Sequence, residues 1–116
     1  MIADTFDDGE LALLGRIHSA RQAREAFWAA REGGFANISI DLMRGLPGQS
    51  LAAWQRTVEA ALELWPEHIS IYGLTLEEGT PLARRVRQGE LPHPDGADDP
   101  SWVRWTVDRL GQAGYD

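Results

Sequence analysis

At 116 residues the chain is long enough for one domain with a core of its own, and well short of the roughly 250 residues of a complete α/β barrel. Apolar residues at 43% and charged residues at 25% suit a globular protein rather than a disordered one, and a net charge of −7 excludes non-specific nucleic-acid binding and a basic face for an anionic membrane. With no cysteine there is no disulfide, no thiolate-held zinc and no iron–sulfur cluster ligated from within these residues, and with neither a long apolar run nor a basic leader a cytoplasmic location is expected.

In chain order, residues 1–5 read as the tail of a strand entering a helix. Asp7 and Asp8 sit well at that helix's N-terminus, and Leu11, Leu13 and Leu14 give it an apolar face up to Arg16. Ser19 is an N-cap for a second helix, in which Ala23, Ala26, Phe27 and Ala30 recur at helical spacing and Gly33-Gly34 supply a left-handed stop closed by Phe35. A strand then begins at Asn37 or Ile38. Its alternation is strict: Ile38, Ile40 and Leu42 share one face, and Ser39, Asp41 and Met43 share the other. In a barrel the oily face packs on helices while the mixed face looks inward, so Asp41 points where a ligand could be.

After the turn Gly45-Leu46-Pro47-Gly48-Gln49, Ser50 caps a helix to about Trp65, with Leu51, Trp54, Val58, Ala61, Leu62 and Trp65 as its buried stripe and Pro66 ending it. The next strand, HISIYGL, repeats NISIDLM. From Ile38 to Ile69 is 31 positions, the length of one strand–loop–helix–loop unit, so two βα units are expected. Thr80-Pro81 opens a short helix to Gln88, residues 91–100 form an exposed loop with three of the six prolines, and Asp99 or Ser101 starts a last helix carrying Trp102, Trp105, Val107 and Leu110. The closing GQAGYD echoes EGGFAN, which preceded the first ISI strand. Two parallel strands cannot cover their own edges, so the expectation is an internal fragment of a larger βα repeat protein.

Asp41 can accept hydrogen bonds from a ligand hydroxyl or amino group, or cap the following turn. The glycine turn beside a helix N-terminus can cradle an anion, although a tight βα turn is the simpler reading, since it is neither a Walker loop nor GxGxxG. Arg16, ending a helix, suits either the dipole or a carboxylate. His18, His68 and His93 share no metal-ligand spacing, and the acids at Glu77, Glu78, Asp95, Asp98 and Asp99 read as a solvated face. The five tryptophans read as outer-layer packing or as contacts with other parts of a larger protein.

Taken together, FDDGELALLGRIHSARQAREAF, GGFANISIDLMRGLPGQS and PEHISIYGLTLEEGTPLARR resemble the oxygen-independent coproporphyrinogen III oxidase family of radical S-adenosylmethionine proteins. Within it they are most similar to the heme chaperone branch, whose members typically read GLPGQT and then an ExGTPL-like segment. The resemblance runs through nearly the whole chain. It implies a partial (βα)6 TIM-type barrel in which a [4Fe–4S] cluster, held by a CxxxCxxC loop, reductively cleaves S-adenosylmethionine to a 5′-deoxyadenosyl radical. By the same resemblance Arg16 matches an arginine that contacts the methionine carboxylate, Asp41 matches an acid on the fifth strand that helps hold the cofactor, and Tyr72 and Thr75 fall at sixth-strand positions lining that site. Asp4 departs from the pattern, which has glutamine there, and an acid in that place repels the carboxylate.

Residues 1–116 are therefore expected to be a central fragment of such a barrel, without its cluster-binding part or C-terminal region, and inactive alone. The parent is expected to be a heme chaperone or a coproporphyrinogen oxidoreductase. Its expected partners are heme or porphyrin and the remainder of the barrel, with self-association of the fragment through its strand edges. Two other readings are a non-catalytic α/β module that binds heme or a protein, and a phosphate-binding barrel enzyme.

Overall fold

The computed structural model describes residues 2–14, 18–74, 79–91 and 99–115. The elements in order are β1 (Ile2–Asp4), α1 (Asp8–Leu13), α2 (Ala20–Glu32), β2 (Ser39–Arg44), α3 (Leu51–Glu63), β3 (His68–Gly73), α4 (Pro81–Arg87) and α5 (Pro100–Gln112). The three strands form one small parallel sheet in the order β1-β2-β3. Strand β2 is central because both its neighbours in sequence return parallel to it through helices, as βα units must. The 31-residue repeat is thus visible as β2 and β3, paired in register from Ser39 opposite His68 to Arg44 opposite Gly73.

The period-2 alternation of β2 sets the layers. Ile38, Ile40 and Leu42 are buried in one cluster with Ala20, Ala23 and Phe27 of α2, with Trp54, Val58 and Ala61 of α3 and with Trp102 of α5. Helix α5 is tied to α3 by the Trp54 indole, which donates to Thr106 Oγ1 at 2.8 Å while that hydroxyl donates to the Trp102 carbonyl at 2.7 Å. Thr106, rather than Val107, is therefore the inward residue of this turn. Val107 is 64% exposed, because at a helical period it lies about 100° beyond Thr106. Trp65 is likewise not in the α3 stripe: the helix ends at Glu63, and Trp65 lies past its cap with 70% of its surface exposed.

Local chemistry explains the boundaries. Ser19 accepts from Gln22 N–H while the Gln22 side chain accepts from Ser19 N–H, a reciprocal capping box. Gly34 stops α2 at φ 96°, a conformation that glycine adopts without penalty. Ser50, Thr80 and Asp99 cap α3, α4 and α5 as their sequences require, the last two with proline in the first turn. Ser19→Ala should lower stability by about 1 kcal/mol, read as a shifted urea midpoint at unchanged slope.

At the amino ends of β2 and β3 one ion pair organises the chain. Glu67 Oε1 accepts from Ile38 N–H at 2.8 Å and from Arg31 Nη1 at 2.9 Å, and its other oxygen takes Arg31 Nη2 at 3.2 Å. The same guanidinium donates to the carbonyls of Phe35, Ala36 and Trp65. Arg31, and then the Ile38 N–H, hold the Glu67 carboxyl below the usual carboxylate range. A depressed carboxyl stabilises the fold above its unfolded value near 4.5, and that contribution is lost as pH falls through the folded pKa. Glu67→Gln should therefore flatten the acid limb of stability below about pH 4.5, monitored by circular dichroism from pH 7 to 2.

Candidate functional site

The face of the sheet away from the helices carries Ser39, Asp41 and Met43 from β2 and Ser70 and Tyr72 from β3. Asp41 lies between Ile2 of β1 and Ser70 of β3, and Tyr72 sits beside Met43, one pleat nearer the carboxyl ends. Asp41 is the third residue of a six-residue strand, so it stands within the sheet, about 10 Å before its carboxyl end, rather than at the tip. Its side chain is half-buried, and among the described residues nothing hydrogen-bonds its carboxylate. Tyr72 is 57% exposed. Arg16 and Thr75, the other two expected site residues, lie outside the described residues. Asp4 ends β1 buried and with φ 64°, a left-handed conformation that a non-glycine residue holds only when its surroundings impose it.

At the carboxyl ends of the strands the glycine turn is occupied by its own chain. Gly45 and Gly48 take φ 80° and 75°, and Gln49 folds its side chain back so that Oε1 accepts from Gly45 N–H at 2.8 Å and Leu46 N–H at 3.4 Å. Two amides of the turn are thus engaged by the chain's own Gln49, as suits a βα connector.

Gln49 also belongs to a network that inspection of the sequence did not reveal. Its Nε2 donates to Glu10 Oε1 at 3.1 Å, the same oxygen accepts from Thr5 Oγ1 at 2.6 Å, and Thr5 Oγ1 lies 3.0 Å from Thr57 Oγ1. Phe6 N–H and Asp7 N–H close the set on Thr57 and Thr5. These bonds tie the end of β1, the start of α1, the loop after β2 and the inner face of α3 into one unit. The available signal was Thr57, a polar residue next to Val58 on the buried stripe of α3, which needs a partner.

Burial raises the Glu10 pKa, with Asp7 adding to the rise, against the hydrogen bonds of Thr5 and Gln49 and the charge of Arg56. A raised carboxyl binds its proton more tightly in the folded state, so its effect opposes that of Glu67. Stability falls as pH rises from about 4.5 through the folded pKa. Glu10→Gln, which keeps an oxygen acceptor, should raise Tm at pH 7 and leave it unchanged at pH 4; equal shifts at both would show that charge is not the cause.

No family model matches the chain. Its sequence is 45% identical over 107 residues to the heme chaperone HemW of Mycobacterium tuberculosis, covering 90% of this chain and 27% of that protein. It is 45% identical over 91 residues to the mitochondrial radical S-adenosyl methionine domain-containing protein 1 of Bos taurus, covering 78% of this chain and 21% of that protein. Among solved structures, coproporphyrinogen III oxidase (HemN) of Escherichia coli, described as a radical SAM enzyme, superposes over 100% of this chain and 26% of its own, with a TM-score of 0.83 and 26% identity. Elp3 of Methanocaldococcus infernus superposes over 76% of this chain and 21% of its own, with a TM-score of 0.67 and 25% identity.

A parallel βα array with a polar open face, matched at this level, is similar to a part of proteins of the radical S-adenosylmethionine class. Within that class the chain is similar to a part of HemW heme chaperones and of the HemN-type coproporphyrinogen III oxidase. It spans about a quarter of the length of the curated relatives it matches. No helix among the described residues is long and apolar enough to cross a membrane.

Proposed function

We propose that residues 1–116 form a central portion of a (βα)6 radical S-adenosylmethionine barrel and supply part of one wall of its cofactor pocket. The observation that carries this reading is Asp41: a half-buried carboxylate on the open sheet face that accepts no hydrogen bond from any described residue. Such a group fits the hydroxyl and amino donors of S-adenosylmethionine. In this reading Tyr72 and Thr75 line the same pocket from β3 and the segment after it, and Arg16 holds the methionine carboxylate through its two parallel N–H groups.

The [4Fe–4S] cluster does not fit these residues, because the chain has no cysteine to ligate iron. In a longer protein that holds the cluster, the cluster and S-adenosylmethionine would supply the radical chemistry of the class. This chain's own share is to orient the cofactor and, through Asp41, to fix its donors. The whole protein's work is the handling of heme or porphyrin in the cytoplasm, with the remainder of the barrel as the chain's first partner.

The coding sequence upstream of Met1 tests this. An in-frame CxxxCxxC segment is expected. An open reading frame without one would leave a non-catalytic α/β module that binds heme or a protein.

A further inference from the structure

Helix α3 ends in an arrangement that its stability alone does not favour. Trp65 adopts φ 55°, where a side chain crowds the backbone and where glycine or asparagine is the usual occupant. The conformation is held in place: Trp65 N–H donates to the Leu62 carbonyl, Arg31 Nη2 donates to the Trp65 carbonyl at 3.1 Å, and Pro66 follows. The indole gains no burial in return, since 70% of the residue is exposed.

That indole borders a groove of about 400 Å³ between the C-terminal ends of α3 and α5, whose charged lining is Glu59, Glu63 and Arg109. Arg109 is already spent on Glu59, which it grips through Nε and through Nη2 at 3.0 Å. Glu63 is exposed and has no ion-pair partner among the described residues. The two cation–π contacts among the described residues fall on Phe6 and Phe27, so no described cation covers Trp65. The groove thus offers an open aromatic face and one uncompensated carboxylate, on a protein of net charge −7.

We propose that this groove docks an arginine side chain of a basic protein segment, the guanidinium stacking on Trp65 and donating to Glu63. Stacking on an indole while donating to a carboxylate is what the planar guanidinium does better than an ammonium. The site lies at the amino-terminal side of the strands with Arg31 and Glu67, away from the Asp41 face, and is independent of the cofactor reading.

An acetylated, amidated glycine–arginine repeat peptide, titrated into the 15N-labelled chain at low salt, tests the proposal. The indole N–H resonance of Trp65 should shift on saturation. Trp65→Asn and Glu63→Gln should each weaken binding about tenfold or more, although Trp65→Asn leaves the net charge unchanged. Trp65→Asn should also raise Tm, because asparagine accepts the left-handed conformation more readily. No peptide binding, or affinity unaltered in Trp65→Asn, would overturn the proposal. A Tm that falls in that variant would remove its premise that tryptophan is kept there against local preference.

Discussion

Trp54→Ala is expected to cost about 3–5 kcal/mol and, in a chain of this size, to leave little or no cooperative unfolding transition. Trp54 has no exposed surface and is the largest fully buried side chain of the molecule. It stands at the middle of α3, against β2 on one side and α5 on the other, so its removal opens a cavity where three elements meet. Truncation also takes the indole N–H from Thr106 Oγ1, a buried hydrogen bond between α3 and α5 beside the more exposed Arg109–Glu59 pair. Trp54→Phe separates the two effects. It refills most of the volume and should cost about 1–2 kcal/mol for the lost bond and residual void. Urea denaturation followed by far-UV circular dichroism measures both; a Trp54→Ala midpoint equal to that of the native chain would show that α5 does not pack as described.

Asp41→Ala should do the reverse, sparing the fold and removing function. In a longer protein of this class that carries cluster cysteines, S-adenosylmethionine affinity should fall by about 10- to 100-fold, the worth of one or two hydrogen bonds to a charged acceptor. Stability should change by no more than about 0.5 kcal/mol, because the carboxylate accepts nothing from the described residues and its strand is held by Ile40 and Leu42 on the opposite face. Asp41→Asn keeps an acceptor oxygen and should fall between. Equal losses of Tm and affinity in Asp41→Ala would instead assign Asp41 a structural role.

Much of the fold was legible in the sequence because local signals and tertiary packing agree. The alternation of Ile38, Ile40 and Leu42 with Ser39, Asp41 and Met43 divides the faces of β2 as the structure does, and Ser19, Ser50, Thr80 and Asp99 are caps by side-chain chemistry alone. Apolar character misled where helical phase decides: Val107 and Trp65 are hydrophobic, yet one faces solvent from α5 and the other lies past the end of α3. The Glu10–Gln49–Thr5–Thr57 network was invisible for a different reason. Thr5 and Thr57 are 52 positions apart, and only the packing of α3 over the end of β1 brings their hydroxyls within 3.0 Å. The glycine turn shows the converse, since its amides looked open until the Gln49 side chain was placed on them.

Equilibrium dialysis of labelled S-adenosylmethionine against the 116-residue chain, with Asp41→Ala as control, tests the partial-pocket reading most directly. A wall of a pocket without its cluster and remaining strands should bind more weakly than about 1 mM, with no measurable difference between the native chain and the variant. Submicromolar binding by the native chain that disappears in Asp41→Ala would contradict the proposal, because the site would then be complete within these residues.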